Sequence, residues 1–175
     1  TLAYLDLDAT VSEVGLPVRS LLKPMVLAKL IQAATVAETD RVLDVGCATG
    51  YSTAVLSRLA ESVVGLEEDL QLARQAGEAL SGSGIVNARI VAGPLARGCA
   101  AEGPFDVIFL QGSVEIVPQT LLDQLKDGGR LLCVLGRGPA AKAMLYQRIG
   151  VEHGGRAIFD AAAAPLPGFS RPTAF

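Results

Sequence analysis

The stretch 42-VLDVGCATGYS-52 decides how the rest of the chain is read. An apolar run ends in Asp44, a loop follows with Gly46 and Gly50, and a helical pattern begins at once. The run 41-RVLDVG-46 is short, apolar and β-branched, which suits a strand buried on both faces. Glycines in the loop let the backbone pass close to a ligand, and backbone N–H groups at a helix start can receive a carboxylate or phosphate. The outline is that of a nucleotide-binding turn. The plainer alternative is a glycine turn that only joins strand to helix.

Working outward, strands and helices alternate. Before the loop, Leu27, Leu30, Ile31 and Ala34 fall at helical spacing after Pro24, a residue suited to a first helical turn. After it, Tyr51, Val55 and Leu59 repeat at i, i+4, i+8 and predict a helix packed on the sheet. SVVGLE (62–67) reads as a second strand, Leu72, Ala76 and Leu80 as a helix, ARIVAG (88–93) and FDVIFLQG (105–112) as further strands. Pro118 opens a helix with Leu121, Leu122 and Leu125 on one face, closed by Gly128–Gly129, and RLLCVLG (130–136) is the fifth strand. Two weaker candidates, AMLYQRI (143–149) and RAIFDAAA (156–163), have no clear helix between them and suit a hairpin at one sheet edge. Residues 1–23 read as irregular. The pattern predicts one α/β domain over residues 1–175, with a mostly parallel sheet that places ligands at the carboxyl ends of its strands.

Composition narrows the function. The chain has 175 residues, enough for one domain with a full core, and is 50% hydrophobic and 19% charged. The net charge of -3, the absence of tryptophan and the lack of a basic cluster give no sign of nucleic-acid or anionic-membrane binding. No run reaches the roughly 18 apolar residues of a membrane span. Cys47, Cys99 and Cys133 form no paired motif, so no metal site is expected, and they read as reduced thiols of a cytoplasmic protein. No signal peptide is visible. The chain begins at Thr1, which predicts that native upstream residues are missing.

Glu67 ends the second strand 21 positions after Gly46, where a carboxylate can accept hydrogen bonds from both ribose hydroxyls. That serves NAD and S-adenosylmethionine alike. The loop discriminates: the dinucleotide pattern G-x-G-x-x-G would fall on Gly46, Ala48 and Tyr51, and a tyrosine in third place argues against it. Asp44 ahead of the loop suits a ligand with an ammonium and a sulfonium, and repels a pyrophosphate.

These residues resemble a class I S-adenosylmethionine-dependent methyltransferase, through VLDVGCATGY, VVGLEED, FDVIFLQG and LLDQLKDGGRLLCVLG. A narrower likeness, to the protein-L-isoaspartate O-methyltransferase family, rests on LAYLD, RSLLKPMVLAKLIQ, GYSTAVLSRLAESVVGLE and IFDAAAAPLPGF. The resemblance implies a Rossmann-like doubly wound sheet of seven strands with helices on both faces, S-adenosylmethionine as cofactor, S-adenosylhomocysteine as product, and a protein or peptide carboxylate as acceptor. It assigns Asp44, Gly46, Cys47, Ala48, Gly50 and Tyr51 to the loop around the methionine part, with Ala48 in place of a common glycine, and Glu67 to the ribose. Gly93 matches the first glycine of a GDG turn whose Asp meets adenine, but Pro94 stands in place of that Asp. Gln111 is assigned to the mouth of the site. In Ser20-Leu21-Leu22-Lys23-Pro24, which matches a TISxP segment beside the reacting methyl, Ser20 keeps a hydroxyl and is the catalytic candidate, whereas Leu22 replaces a serine tied to substrate handling.

Methyl transfer to a carboxylate needs no general base, because the acceptor is already ionised with a pKa of about 4, and positioning dominates. His153 accordingly reads as a surface residue, Cys47 as a packing residue, Glu68 and Asp69 as first-turn helix acids, Lys23 as an exposed lysine, and Ser20 has a turn or cap role as its alternative. Two other readings share the fold: a different methyl acceptor, allowed by Leu22, and a binding module without turnover, suggested by Leu22 and Pro94. A nicotinamide-dependent oxidoreductase is disfavoured by Tyr51.

Overall fold

A computed structural model describes residues 9–11 and 19–171. Among the described residues, nine strands and four α-helices follow in order: β1 (Ala9–Thr10), β2 (Ser20–Leu21), α1 (Pro24–Ala34), β3 (Arg41–Val45), α2 (Tyr51–Leu56), β4 (Ser62–Glu67), α3 (Leu70–Gly82), β5 (Ala88–Ala92), β6 (Phe105–Val114), α4 (Gln119–Leu122), β7 (Leu125–Leu135), β8 (Lys142–Ile149) and β9 (Glu152–Asp160). Seven strands form one sheet in the order β5-β4-β3-β6-β7-β8-β9. Strands β3 to β7 run parallel, and β8 pairs antiparallel with β7 and β9. The doubly wound, mostly parallel seven-strand sheet matches the sequence expectation, and the hairpin lies at one edge as its missing helix required.

Strand order reverses beside β3. The chain builds outward to β4 and β5, then returns to lay β6 on the other side of β3. The loop after Val45 therefore opens at the switch point, where crossovers leave in opposite directions and a crevice forms.

The continuous apolar strands divide by parity, since alternate side chains point to opposite faces. Val42, Val63, Val107, Phe109, Leu132 and Val134 pack with Leu27, Leu30 and Ala34 of α1 and Leu56 of α2. Leu43, Val45, Val64, Leu66, Ile108, Leu110 and Leu131 pack on the other face with Leu121 and Leu122 of α4, Leu166 and Phe169. The second face is thus covered by a one-turn helix and by the segment after β9.

Three expectations change. Residues 1–23 are not wholly irregular: β1 and β2 pair as an antiparallel ribbon outside the main sheet, while 1–8 and 12–18 lie outside the described residues. The helix after the loop buries Ser52, Thr53 and Leu56 instead of the Tyr51–Val55–Leu59 stripe. That stripe lines a groove against Pro24, Leu27, Ala28 and Ile31 of α1. The helix after Pro118 lasts one turn, because Leu125 already pairs with Phe105 and Gly128–Gly129 lie inside β7. Among the described residues no helix is long and apolar enough to cross a membrane.

Candidate functional site

The loop after β3 is fixed by its own backbone. The N–H groups of Gly46 and Cys47 both donate to the Leu66 carbonyl, at 2.8 and 3.2 Å, and Gly50 N–H donates to the Cys47 carbonyl at 2.8 Å. Gly46 and Gly50 take φ of 79° and 85°, and Ala48 shares the left-handed region at 48°. At Gly50 a side chain would be tight: a Cβ would lie 3.1 Å from the Ala76 Cβ and 3.2 Å from its Cα on α3.

Asp44 is fully buried, and donors of the chain itself take up both of its carboxylate oxygens. One carboxylate oxygen accepts from Ser52 Oγ at 2.6 Å and Thr53 Oγ1 at 2.7 Å, the other from Gln111 Nε2 at 2.6 Å. It ties the strand end to the first turn of α2 and to β6. Burial raises its pKa above the ordinary carboxylate value, the three hydrogen bonds oppose the rise, and the Glu67 charge adds to it.

Glu67, also fully buried, stands at the carboxyl end of β4 and aims at the loop. Its Oε2 accepts from the Ala48 N–H at 2.8 Å, and its Oε1 from the N–H groups of Glu68 and Asp69 at 3.0 and 3.1 Å. Arg19 lies across the same carboxylate as a two-pronged ion pair, Nη1 to Oε1 at 2.7 Å and Nη2 to Oε2 at 2.8 Å. Sequence reasoning missed Arg19, Ser52, Thr53 and Leu166. Ser52 and Thr53 follow the loop directly, and a polar pair at the start of an otherwise core-facing helix was their one available signal.

Other assigned residues disperse. Tyr51 is half-exposed in the groove between α1 and α2. Cys47 packs beneath the loop, its sulfur 3.1 Å from where a Cβ on Gly65 would sit. Burial, then the charges of Asp44 and Glu67, push its thiol far up, so it stays protonated. Gly93 N–H donates to the Glu67 carbonyl at 3.0 Å. Pro94 is exposed beyond β5. Gln111 lies within β6 and not after it, because that strand continues to Val114, and it braces Asp44. Ser20 sits in the β2 ribbon beside Arg19, half-buried. Leu22 is 5% exposed and packs into the α1 face of the core. His153 lies on β9, its ring facing Leu122 and Gln119. Among the described residues no group of acidic, Cys and His side chains could hold a metal ion.

The chemistry of the loop fits S-adenosylmethionine in kind: glycines that admit close approach, and an acid at the end of the adjoining strand. The space is held by the chain itself. A Cβ on Gly46 would meet Leu166 Cδ2 at 2.7 Å and Arg19 Nη2 at 3.6 Å. Gly46, Cys47, Ala48 and Gly50 would flank the methionine part and Glu67 the ribose.

A family model for protein-L-isoaspartate(D-aspartate) O-methyltransferase matches residues 4–158. A protein-L-isoaspartate O-methyltransferase of Koribacter versatilis is 36% identical over 126 residues, 72% of this chain and 56% of that protein. Protein-L-isoaspartate O-methyltransferase 2 of Shewanella sediminis is 38% identical over 114 residues, 65% of this chain and 47% of that protein. The chain spans about half the length of the curated relatives it matches. A solved protein-L-isoaspartate O-methyltransferase superposes with a TM-score of 0.85 at 26% identity, over 94% of this chain and 54% of that one. A Plasmodium falciparum structure described as a putative protein-L-isoaspartate O-methyltransferase in complex with S-adenosyl-L-homocysteine superposes at 0.72 and 20% identity, over 92% of this chain and 80% of its own.

Proposed function

Since the chain belongs to the protein-L-isoaspartate(D-aspartate) O-methyltransferase family, we propose that it uses S-adenosylmethionine to methylate a carboxylate of a protein or peptide. The observation that supports this most is Glu67, whose carboxylate is held against the Ala48 amide at the switch point of the sheet. An acid so placed can receive a ribose diol while the glycine loop flanks the rest of the ligand. When bound, the cofactor supplies an activated methyl group.

The residues of this chain do the holding. The turn made by Gly46, Ala48 and Gly50 keeps the loop low enough for a ligand to lie on it. Asp44, through Ser52, Thr53 and Gln111, locks that turn to its two neighbouring elements. No base is required of the protein for an ionised carboxylate acceptor, and positioning supplies the rate. Ser20 is the hydroxyl nearest in sequence to the loop-facing Arg19, and its role is to orient the acceptor. A protein or peptide acceptor follows from the family, and the three free thiols support a cytoplasmic setting.

Leu22 favours a second reading, the same cofactor with a different acceptor. Its side chain belongs to the core, so the hydrogen bond that the family's serine offers is not made at this position.

Calorimetric titration with S-adenosylmethionine and S-adenosylhomocysteine, alongside label transfer to an isoaspartyl peptide, tests both. Binding with transfer supports the first reading. Binding without transfer moves the acceptor to the second. Absence of binding by either ligand overturns the cofactor assignment.

A further inference from the structure

The Arg19–Glu67 pair is hard to reconcile with a purely structural role. Five N–H groups converge on the one carboxylate: two from Arg19 and one each from Ala48, Glu68 and Asp69. A carboxylate offers about four lone-pair sites, so its acceptor capacity is filled. The three backbone donors come from the loop and the β4–α3 turn and would suffice to satisfy a buried acid. The guanidinium adds a planar fork, the geometry best suited to a carboxylate. A vicinal ribose diol presents a similar pair of donors to the same two oxygens.

Arg19 also differs from the other three donors in its mounting. It precedes β2, and its carbonyl accepts from the Val11 N–H at 2.8 Å. It thus rides on the two-stranded ribbon, whose pairing spans only Ala9↔Leu21 and Thr10↔Ser20. Two-stranded pairings of this size are marginal by themselves, so the ribbon can part from its contacts with β6 while Leu22, next in the chain, stays anchored in the core.

Building on the cofactor assignment above, we propose that Arg19 is an intramolecular stand-in for the ribose: it holds Glu67 and closes the loop until S-adenosylmethionine displaces it, lifting the β1–β2 ribbon. Ligand entry and ribbon opening are then one event. The apparent affinity of the wild-type protein is lowered by the fraction of molecules in which Arg19 holds the acid.

The test is calorimetry with S-adenosylhomocysteine on the wild type, Arg19→Gln and Arg19→Lys, with Glu67→Gln as control. Arg19→Gln is expected to bind about tenfold tighter than the wild type, as a closed form holding about nine-tenths of the molecules requires. Arg19→Lys, which keeps the charge but loses the fork, falls between them. Glu67→Gln binds more weakly than the wild type. Binding seen in Arg19→Gln alone also supports the stand-in. Equal or weaker binding by Arg19→Gln, with the wild type binding, overturns it and leaves the cofactor assignment standing. If neither protein binds, the cofactor assignment itself fails and the stand-in with it. Hydrogen exchange on the wild type gives a second readout independent of any variant's folding. Adding S-adenosylhomocysteine is expected to speed exchange at residues 9–11 and 19–21, and unchanged or slower exchange there overturns the proposal.

Discussion

At Asp44 a carboxylate with no exposure accepts three short hydrogen bonds, and its charge there is costly despite them. Its folded pKa lies above the ordinary value, with burial as the main cause. A group raised in this way stabilises the fold while protonated. The contribution is complete below the unfolded value of about 4 and is lost as pH rises through the folded value. Asp44→Asn keeps the shape and removes the titration. The melting temperature of the wild type is therefore expected to fall relative to Asp44→Asn as pH is raised above the unfolded value of about 4. A constant gap between the two across that range would show that the titration of Asp44 is not linked to folding. Leu22 gives a second prediction. Leu22→Ser removes a core side chain and buries a hydroxyl, so chemical denaturation should show a loss of about 2–5 kcal/mol. Recovery of isoaspartyl activity without that loss would mean that residue 22 faces the site. Sequence placed Asp44, Glu67 and the loop glycines correctly in the chain, because strand ends and turns carry local signals. It did not foresee the partners of Asp44, and it put Gln111 after a strand that in fact contains it. A side chain's partner is set by tertiary contacts, here 67 positions apart between Gln111 and Asp44.

Elements are joined at two places that substitutions can probe. Arg130 of β7 closes the C-terminus of α1: its Nε donates to the Ala34 carbonyl at 2.6 Å, and its Nη2 to the Thr35 carbonyl at 2.9 Å and to Asp40 at 2.7 Å. These satisfy carbonyls that a helix end leaves open. Arg130→Met should cost about 1.5–3 kcal/mol in a denaturant titration, with faster amide exchange in the last turn of α1. At the loop, Gly50→Ala meets both a left-handed φ and the backbone of Ala76, a combined cost of about 2–4 kcal/mol. Gly84→Ala shares the left-handed φ but meets nothing within 4 Å, so only the backbone part, about 1–2 kcal/mol, applies. Equal losses at the two positions would remove the α3 contact as the cause. Strand and helix types were readable throughout the main sheet because their apolar runs are long. The failures were short elements. The stripe Tyr51–Val55–Leu59 has helical spacing, yet α2 turns Ser52 and Thr53 inward, drawn by a buried carboxylate that periodicity does not register. The β1–β2 ribbon, two residues a side, is too brief to leave a pattern.

In the whole molecule, Arg19 and Leu166 stand over Gly46 at the switch point of the sheet and close the crevice there. The ligand-free protein is expected to unfold in one cooperative transition, and S-adenosylhomocysteine at 100 times its Kd should add about 2.7 kcal/mol of stability. A melting temperature unmoved by saturating ligand would speak against a site in the folded state. The architecture followed from the order of strands and helices, whereas the closure of the crevice did not, since its two plugs come from opposite ends of the described chain. Leu166 sits in a hollow left by Gly46 and Gly112, its N–H donating to the Ser113 carbonyl at 2.8 Å. The stretch after β9 therefore works as a roof tile clipped along the end of β6: Ser113 N–H also donates to the Ala164 carbonyl at 2.8 Å, Glu115 N–H to the Phe169 carbonyl at 3.1 Å, and Leu166 and Phe169 are both buried beneath it. A protease cut between 161 and 163 would part the tile from β9 yet leave these clips and every rung of the seven-strand ladder in place, giving a nicked protein that still melts as a sheet and still hides its loop from water.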